Sequence, residues 1–76
     1  MTHYSEFSRE KLNRILEMNL EDFGLSPGIA GRLSTAEIYT VNQLLHKTDE
    51  ELLRISGINK LTMSKIKSVL LTRGFY

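Results

Sequence analysis

An all-α domain is the fold class that this sequence predicts, and three observations carry it. Apolar residues recur at spacings of three and four, as in Leu12, Ile15, Leu16, Leu20 and Phe23, the period of a helix with one apolar face. No segment alternates apolar and polar residues with period two over a useful length, so strands are not expected. The segments between helical stretches are two to five residues long, the usual reach of connections between neighbouring helices.

The elements follow in chain order. Ser8 to Asn19 carries the first apolar stripe and reads as a helix, and Gly24 breaks the pattern. Ser26-Pro27 then offers an N-cap oxygen followed by proline at the first helical position, where its missing N–H has no consequence. A second helix is expected from Pro27 to about Ala36, burying Ile29, Ala30 and Leu33 and turning Gly28, Arg32 and Thr35 outward. Thr40 to Leu45 is too short for periodicity and reads as one or two helical turns. Thr48-Asp49-Glu50-Glu51 is a capping box, in which the Thr48 hydroxyl takes the Glu51 N–H while the Glu51 carboxylate reaches back. Three carboxylates also sit there at the positive end of the helix dipole, so a short helix through Ile55 is expected. Gly57 ends it, and Asn59, which tolerates left-handed backbone better than most residues, follows two positions on. The final helix runs from about Lys60 to Arg73, burying Met63, Ile66, Val69 and Leu70 and stopped by Gly74.

Composition narrows the function. A chain of 76 residues has room for one small core. It buries only about 60% of the surface that its unfolded form exposes and has little stability left for a deep cleft, so an enzyme is not expected. No apolar run approaches the roughly 18 residues of a membrane span. With no cysteine there is neither disulfide nor thiolate metal site. Met1 is not followed by a basic and then apolar leader, so a cytoplasmic protein is the expectation. The net charge of +1 predicts no partner by itself, but the charge is unevenly distributed. Up to Asp22 the acids Glu6, Glu10, Glu17, Glu21 and Asp22 outnumber Arg9, Lys11 and Arg14, whereas from Ser56 onward the chain has Lys60, Lys65, Lys67 and Arg73 and no acid.

Ile55-Ser56-Gly57-Ile58-Asn59-Lys60, set between two helices, has the shape of a helix-hairpin-helix turn. A tight loop with one left-handed residue aims successive N–H groups outward at the start of the last helix, where the dipole also favours an anion such as a DNA phosphate. A plain helix connection with a C-cap glycine reads the same way from this segment alone.

From about Asp22 to Phe75 the chain resembles the C-terminal domain of the bacterial RNA polymerase alpha subunit. The residues that carry the resemblance are Ile38-Tyr39-Thr40-Val41, Leu44-Leu45, Thr48-Asp49-Glu50-Glu51-Leu52-Leu53, Gly57-Ile58-Asn59-Lys60, Ile66-Lys67-Ser68-Val69-Leu70 and Arg73-Gly74. The resemblance implies a compact bundle of four or five short helices with such a hairpin, preceded here by an N-terminal amphipathic helix. Residues 1–21 are thus the extension and 22–76 the domain. It also implies binding in the DNA minor groove and contacts with transcription factors.

Residue by residue, the implied DNA face is altered. The family's principal minor-groove arginine corresponds to Gly28 and the asparagine one turn later to Gly31. At the hairpin, the family's glycine is Asn59, its second lysine Leu61, its serine the similar Thr62 and its glutamate Lys65, while Lys60 keeps the family's residue. Arg32 lies four residues after Gly28 on the same face, within reach of the vacated space. The DNA-binding set expected from the resemblance is therefore Arg32, Gly57, Asn59, Lys60, Thr62 and Lys65, with low affinity for minor groove and phosphates. Thr48, Asp49 and Glu51 match a surface that the family uses for protein contacts.

The expected partners are DNA, RNA polymerase or a transcription factor, and a second copy through the N-terminal helix; no membrane and no cofactor is expected. The alternative is a protein-interaction module that has lost the DNA face, with Leu61 and the outward Leu71 in an apolar docking patch. His3 and His46 have no second ligand at metal spacing. Met18 and Met63 read as core, and Tyr39, Phe75 and Tyr76 as rings that either stack on bases or pack back onto the domain.

Overall fold

The structure, a computed structural model, describes residues 9–75, and among these it forms six helices and no strand. They are α1 (Arg9–Glu17), α2 (Leu20–Phe23), α3 (Pro27–Ser34), α4 (Val41–Leu45), α5 (Asp49–Leu53) and α6 (Lys60–Thr72). The expected start of the first helix at Ser8, and His3 and Tyr76, lie outside the described residues. No helix among the described residues is long and apolar enough to cross a membrane.

The all-α expectation holds, with one division that the apolar stripe concealed. The stripe from Leu12 to Phe23 is two helices because Asn19 acts as an N-cap, its Oδ1 accepting the Asp22 N–H at 2.8 Å. The Met18 carbonyl just before it is taken by the Val41 N–H at 3.1 Å, and Asn19 forms an isolated antiparallel bridge with Thr40. The chain thus bends between α1 and α2. Leu20 and Phe23 enter the core, while Leu12, Ile15 and Leu16 on α1 are half-buried against it. The stripe of α1 faces its own domain, where the helix packs on α4.

One core joins all the elements except α1. Phe23, Leu33, Ile38, Val41 and Ile66 are its largest fully buried side chains, surrounded by Leu20, Leu25, Ile29, Leu44, Leu52, Ile58, Met63, Leu70 and Phe75. α3 buries Ile29 and Leu33 as its pattern requires, with Ser26 Oγ capping the Ile29 N–H at 3.3 Å. α6 buries Met63, Ile66 and Leu70, whereas Val69 is only half-buried. At the C-terminal end, Gly74 at φ 87° lets the Phe75 N–H return to the Leu70 carbonyl at 2.8 Å. The Phe75 ring then meets Phe23 edge-on at 5.8 Å, and the Arg73 guanidinium lies 5.1 Å from the centre of the Phe23 ring. Phe75 is therefore a core residue; Tyr39 is 55% exposed.

Candidate nucleic-acid interface

The α5–α6 hairpin is built by three local devices. Thr48 and Glu51 close the expected capping box, with Glu51 N–H on Thr48 Oγ1 at 3.1 Å and Thr48 N–H on Glu51 Oε1 at 2.9 Å. α5 ends at Leu53, two residues before the expected Ile55, because the Arg54 and Ile55 N–H groups already turn back to the Glu51 and Leu52 carbonyls at 3.3 and 3.1 Å. Gly57 then takes the left-handed position at φ 85°, and Ile58 drops into the core. Asn59 is not the left-handed residue: at φ −116° and ψ −175° it is extended and caps α6, its Oδ1 accepting the Thr62 N–H at 2.9 Å.

This geometry sorts the expected DNA-binding residues. Lys60, Lys65 and Arg32 are exposed. Thr62 is only 7% exposed, and its hydroxyl donates to the same Asn59 oxygen at 3.1 Å. It fixes the cap from inside. The Thr62 amide is thereby satisfied, and the amides of Lys60 and Leu61 are the ones at the start of α6 with no acceptor within the helix.

Arg32 is brought to the hairpin in a way that the sequence did not foretell. A methyl group in place of the Gly57 hydrogen would lie 2.9 Å from Arg32 Cδ and 3.1 Å from Nε, so the arginine stem rests on the bare glycine backbone. A Cβ at Gly28 or Gly31 would meet nothing within 4 Å. The space vacated on α3 is therefore open, and Arg32 leans away from it onto the turn. Arg32, Gly57 and the start of α6 share one surface; Gly28 and Gly31 leave bare backbone beside it.

The candidate protein-contact residues have structural partners. Thr48 and Glu51 hold each other, and the Thr48 N–H, ahead of its hydroxyl, keeps the Glu51 carboxyl below its ordinary pKa. Asp49 pairs with Lys67 across the α5–α6 contact. Two structural groups escaped the sequence reading. One is this ion pair, which only the tertiary fold reveals. The other is a second capping box at Thr40 and Gln43, whose Thr-x-x-Gln signature was readable.

Elsewhere, an open cleft of about 310 Å³ lies between α2 and α3, lined among others by Glu21, Asp22, Gly31, Ser34 and Tyr39. His46 Nδ1 lies 2.7 Å from the Asn42 carbonyl oxygen on its own helix, and among the described residues no three His, Asp or Glu stand where they would hold a metal ion.

The sequence profile of one family, the C-terminal domain of the bacterial RNA polymerase alpha subunit, matches residues 6–72. The protein is similar to the DNA-directed RNA polymerase subunit alpha of Symbiobacterium thermophilum, 31% identical over 65 residues that cover 86% of this sequence and 21% of that protein. It is likewise similar to the DNA-directed RNA polymerase subunit alpha of Desulforudis audaxviator, 32% identical over 57 residues, 75% of this sequence and 18% of that protein. The matched region spans about a fifth of the length of these relatives.

Proposed function

This chain belongs to the family of the C-terminal domain of the bacterial RNA polymerase alpha subunit, and from that premise we propose that it is a small, non-catalytic, transcription-associated module that binds duplex DNA weakly. The observation that carries the reading is the seat of Arg32 on Gly57, which sets a cation of α3 beside the hairpin that leads into Lys60. In this reading Lys60 and Lys65 neutralise phosphates whatever the sequence. Arg32 enters the minor groove, where a narrow A·T-rich duplex concentrates negative potential. Gly57 and Asn59 shape the turn, and Thr62 acts through Asn59. With Gly28 and Gly31 in place of two groove-facing side chains, affinity falls in the range of non-specific contacts, about 10⁻⁴ to 10⁻⁶ M.

The same proposal makes the Thr48, Asp49 and Glu51 end of α5 a contact for a transcription factor or for polymerase, and the cytoplasm its place of action. Residues 1–21 serve it as a helical extension of the 22–76 domain. The apolar stripe of α1 is turned onto α4 and only half-buried there, and its outer part is the surface through which a second copy would associate.

Titrating labelled duplexes at several salt concentrations tests the DNA reading. Lys60→Ala is expected to weaken binding to every duplex alike and to reduce the salt slope by about one. Arg32→Ala is expected to erase a preference for A·T-rich over G·C-rich duplexes while weak general binding persists. No complex at low salt overturns the reading.

A further inference from the structure

Among the described residues, the two most exposed large apolar side chains belong to α6, Leu61 at 66% and Leu71 at 60%. They are parts of one stripe. At about 100° per residue, Leu61, Ser64, Ser68 and Leu71 fall within an arc of roughly 80° on the helix surface, over a length of about 15 Å. All four are exposed. The stripe is uncharged, with two serines between two leucines, a surface that admits the backbone of a second helix at its centre and apolar knobs at its ends.

The charges beside the stripe choose its partner. Lys60 and Lys67 follow one edge and Lys65 the other, and α6 contains no acid. Asp49 reaches this helix from α5 and is engaged by Lys67. The spacing of the stripe reads the same in both directions, so an antiparallel second copy would set Leu61 against Leu71 and Ser64 against Ser68. That arrangement would also bring Lys65 close to its own mate on one edge and Lys67 close to its own on the other, while Lys60 would face the far end of the second helix. Like charges so placed oppose association. Duplex DNA answers the lysines but leaves two leucines against phosphate and sugar.

We infer that the outer face of α6 is a docking surface for an acidic amphipathic helix of another protein, with Leu61 and Leu71 as its apolar anchors and Lys60 and Lys65 as its flanking charges. The acidic partner answers the flanking lysines and covers the leucines in one contact. The inference shares Lys60 and Lys65 with the DNA reading but adds Leu61 and Leu71, which that reading does not use, so the leucine variants test it apart from DNA binding.

The test uses the whole protein and two fluorescent designed helical peptides with the same leucine and alanine stripe, one flanked by glutamates and the other by lysines. The glutamate peptide is expected to bind saturably at low salt, and the lysine peptide not to bind. Leu61→Gln and Leu71→Gln are each expected to weaken binding by about tenfold, the scale of covering one leucine side chain, with thermal unfolding unchanged because both residues are exposed. Leu53→Gln, at an exposed leucine of α5 outside the stripe, is expected to leave peptide binding unchanged. The inference is overturned if neither peptide binds, if both bind alike, or if the leucine variants bind as well as the parent. It is also overturned if the protein alone sediments as a dimer that the leucine variants abolish, since the stripe would then belong to a second copy.

Discussion

α4 and α5 are near twins that the fold treats differently. Each has five residues, a threonine N-cap and a complete capping box. Each also lies next to a turn that needs positive φ, at Glu37 (62°) before α4 and at Gly57 (85°) after α5. At residue 37 a glutamate suffices, and the turn closes with the Ile38 N–H on the Leu33 carbonyl at 3.1 Å. At residue 57 the stem of Arg32 crosses the turn, so a side chain would be strained by its backbone and would also push the arginine aside. The difference teaches that a turn glycine can serve two needs at once, its own positive φ and the seat of a side chain from elsewhere in the fold.

Support from the N-terminal helix is the largest difference between the twins. α4 receives it through the Val41–Met18 hydrogen bond and the Asn19–Thr40 bridge, and α1 packs on α4. Deleting residues 1–19 should uncover the surface beneath four half-buried apolar side chains, Leu12, Ile15, Leu16 and Met18, a loss on the order of 3 kcal/mol, and lower Tm by more than about 10 °C. Hydrogen exchange should show the Val41 amide deprotected before the Leu52 amide, which bonds to Thr48 within its own helix. An unchanged melting curve would make α1 a free tail and erase the contrast.

Next in size is Gly57→Ala, which places a Cβ at left-handed φ and against Arg32. A loss of about 1–2 kcal/mol is expected by denaturant titration, along with loss of any A·T preference as the arginine is displaced. Stability equal to the parent would show that the turn relaxes and that the arginine contact is incidental.

The two boxes give a closer comparison. Thr40→Ala and Thr48→Ala should each cost about 1 kcal/mol. They part company with pH. Glu51 is held below its ordinary pKa by Thr48, so the contribution of its box is present above the ordinary carboxylate range and disappears as pH falls through the lowered value. Gln43 does not titrate. Stability curves against pH for Glu51→Gln and the parent should therefore differ in shape on the acid side, while Gln43→Ala shifts the parent curve without changing its shape.

The smallest effect is expected from Glu37→Gly. It relieves the left-handed strain of a residue that carries a Cβ and should stabilise by up to about 1 kcal/mol. A loss would mean that the glutamate itself contributes to the turn.

Local chemistry was the legible part of this fold. Ser26-Pro27 placed the start of α3, Thr48-x-x-Glu51 the start of α5, and the outward positions of Gly28, Arg32 and Thr35 followed from helical spacing. The failures came where two local readings competed. Asn19 lies inside a continuous apolar stripe, and periodicity concealed a cap that closes locally on the Asp22 N–H, while the bend it makes is held by the distant Val41 N–H on the Met18 carbonyl. Asn59 has two common uses, left-handed turn and N-cap, and the neighbouring Gly57 had already met the first need. Of the candidate interface, the exposure of Lys60, Lys65 and Arg32 agrees with helical phase and polarity. The Arg32–Gly57 contact joins residues 25 positions apart and left no mark at either.

The bare face of α3 has a dynamic consequence. Of its eight residues, Gly28 and Gly31 have poor intrinsic helix propensity, so Ser26, Pro27 at the first position and the burial of Ile29 and Leu33 are what hold it in shape. Such a segment opens locally at a lower free energy than a propensity-rich helix with the same packing. Arg32 is attached to it, and its stem on Gly57 is a second tether from another part of the molecule. The two residues are thereby coupled: whatever lifts the stem from Gly57 removes a tether from a helix with little propensity of its own, and whatever opens α3 carries its charge away from the hairpin.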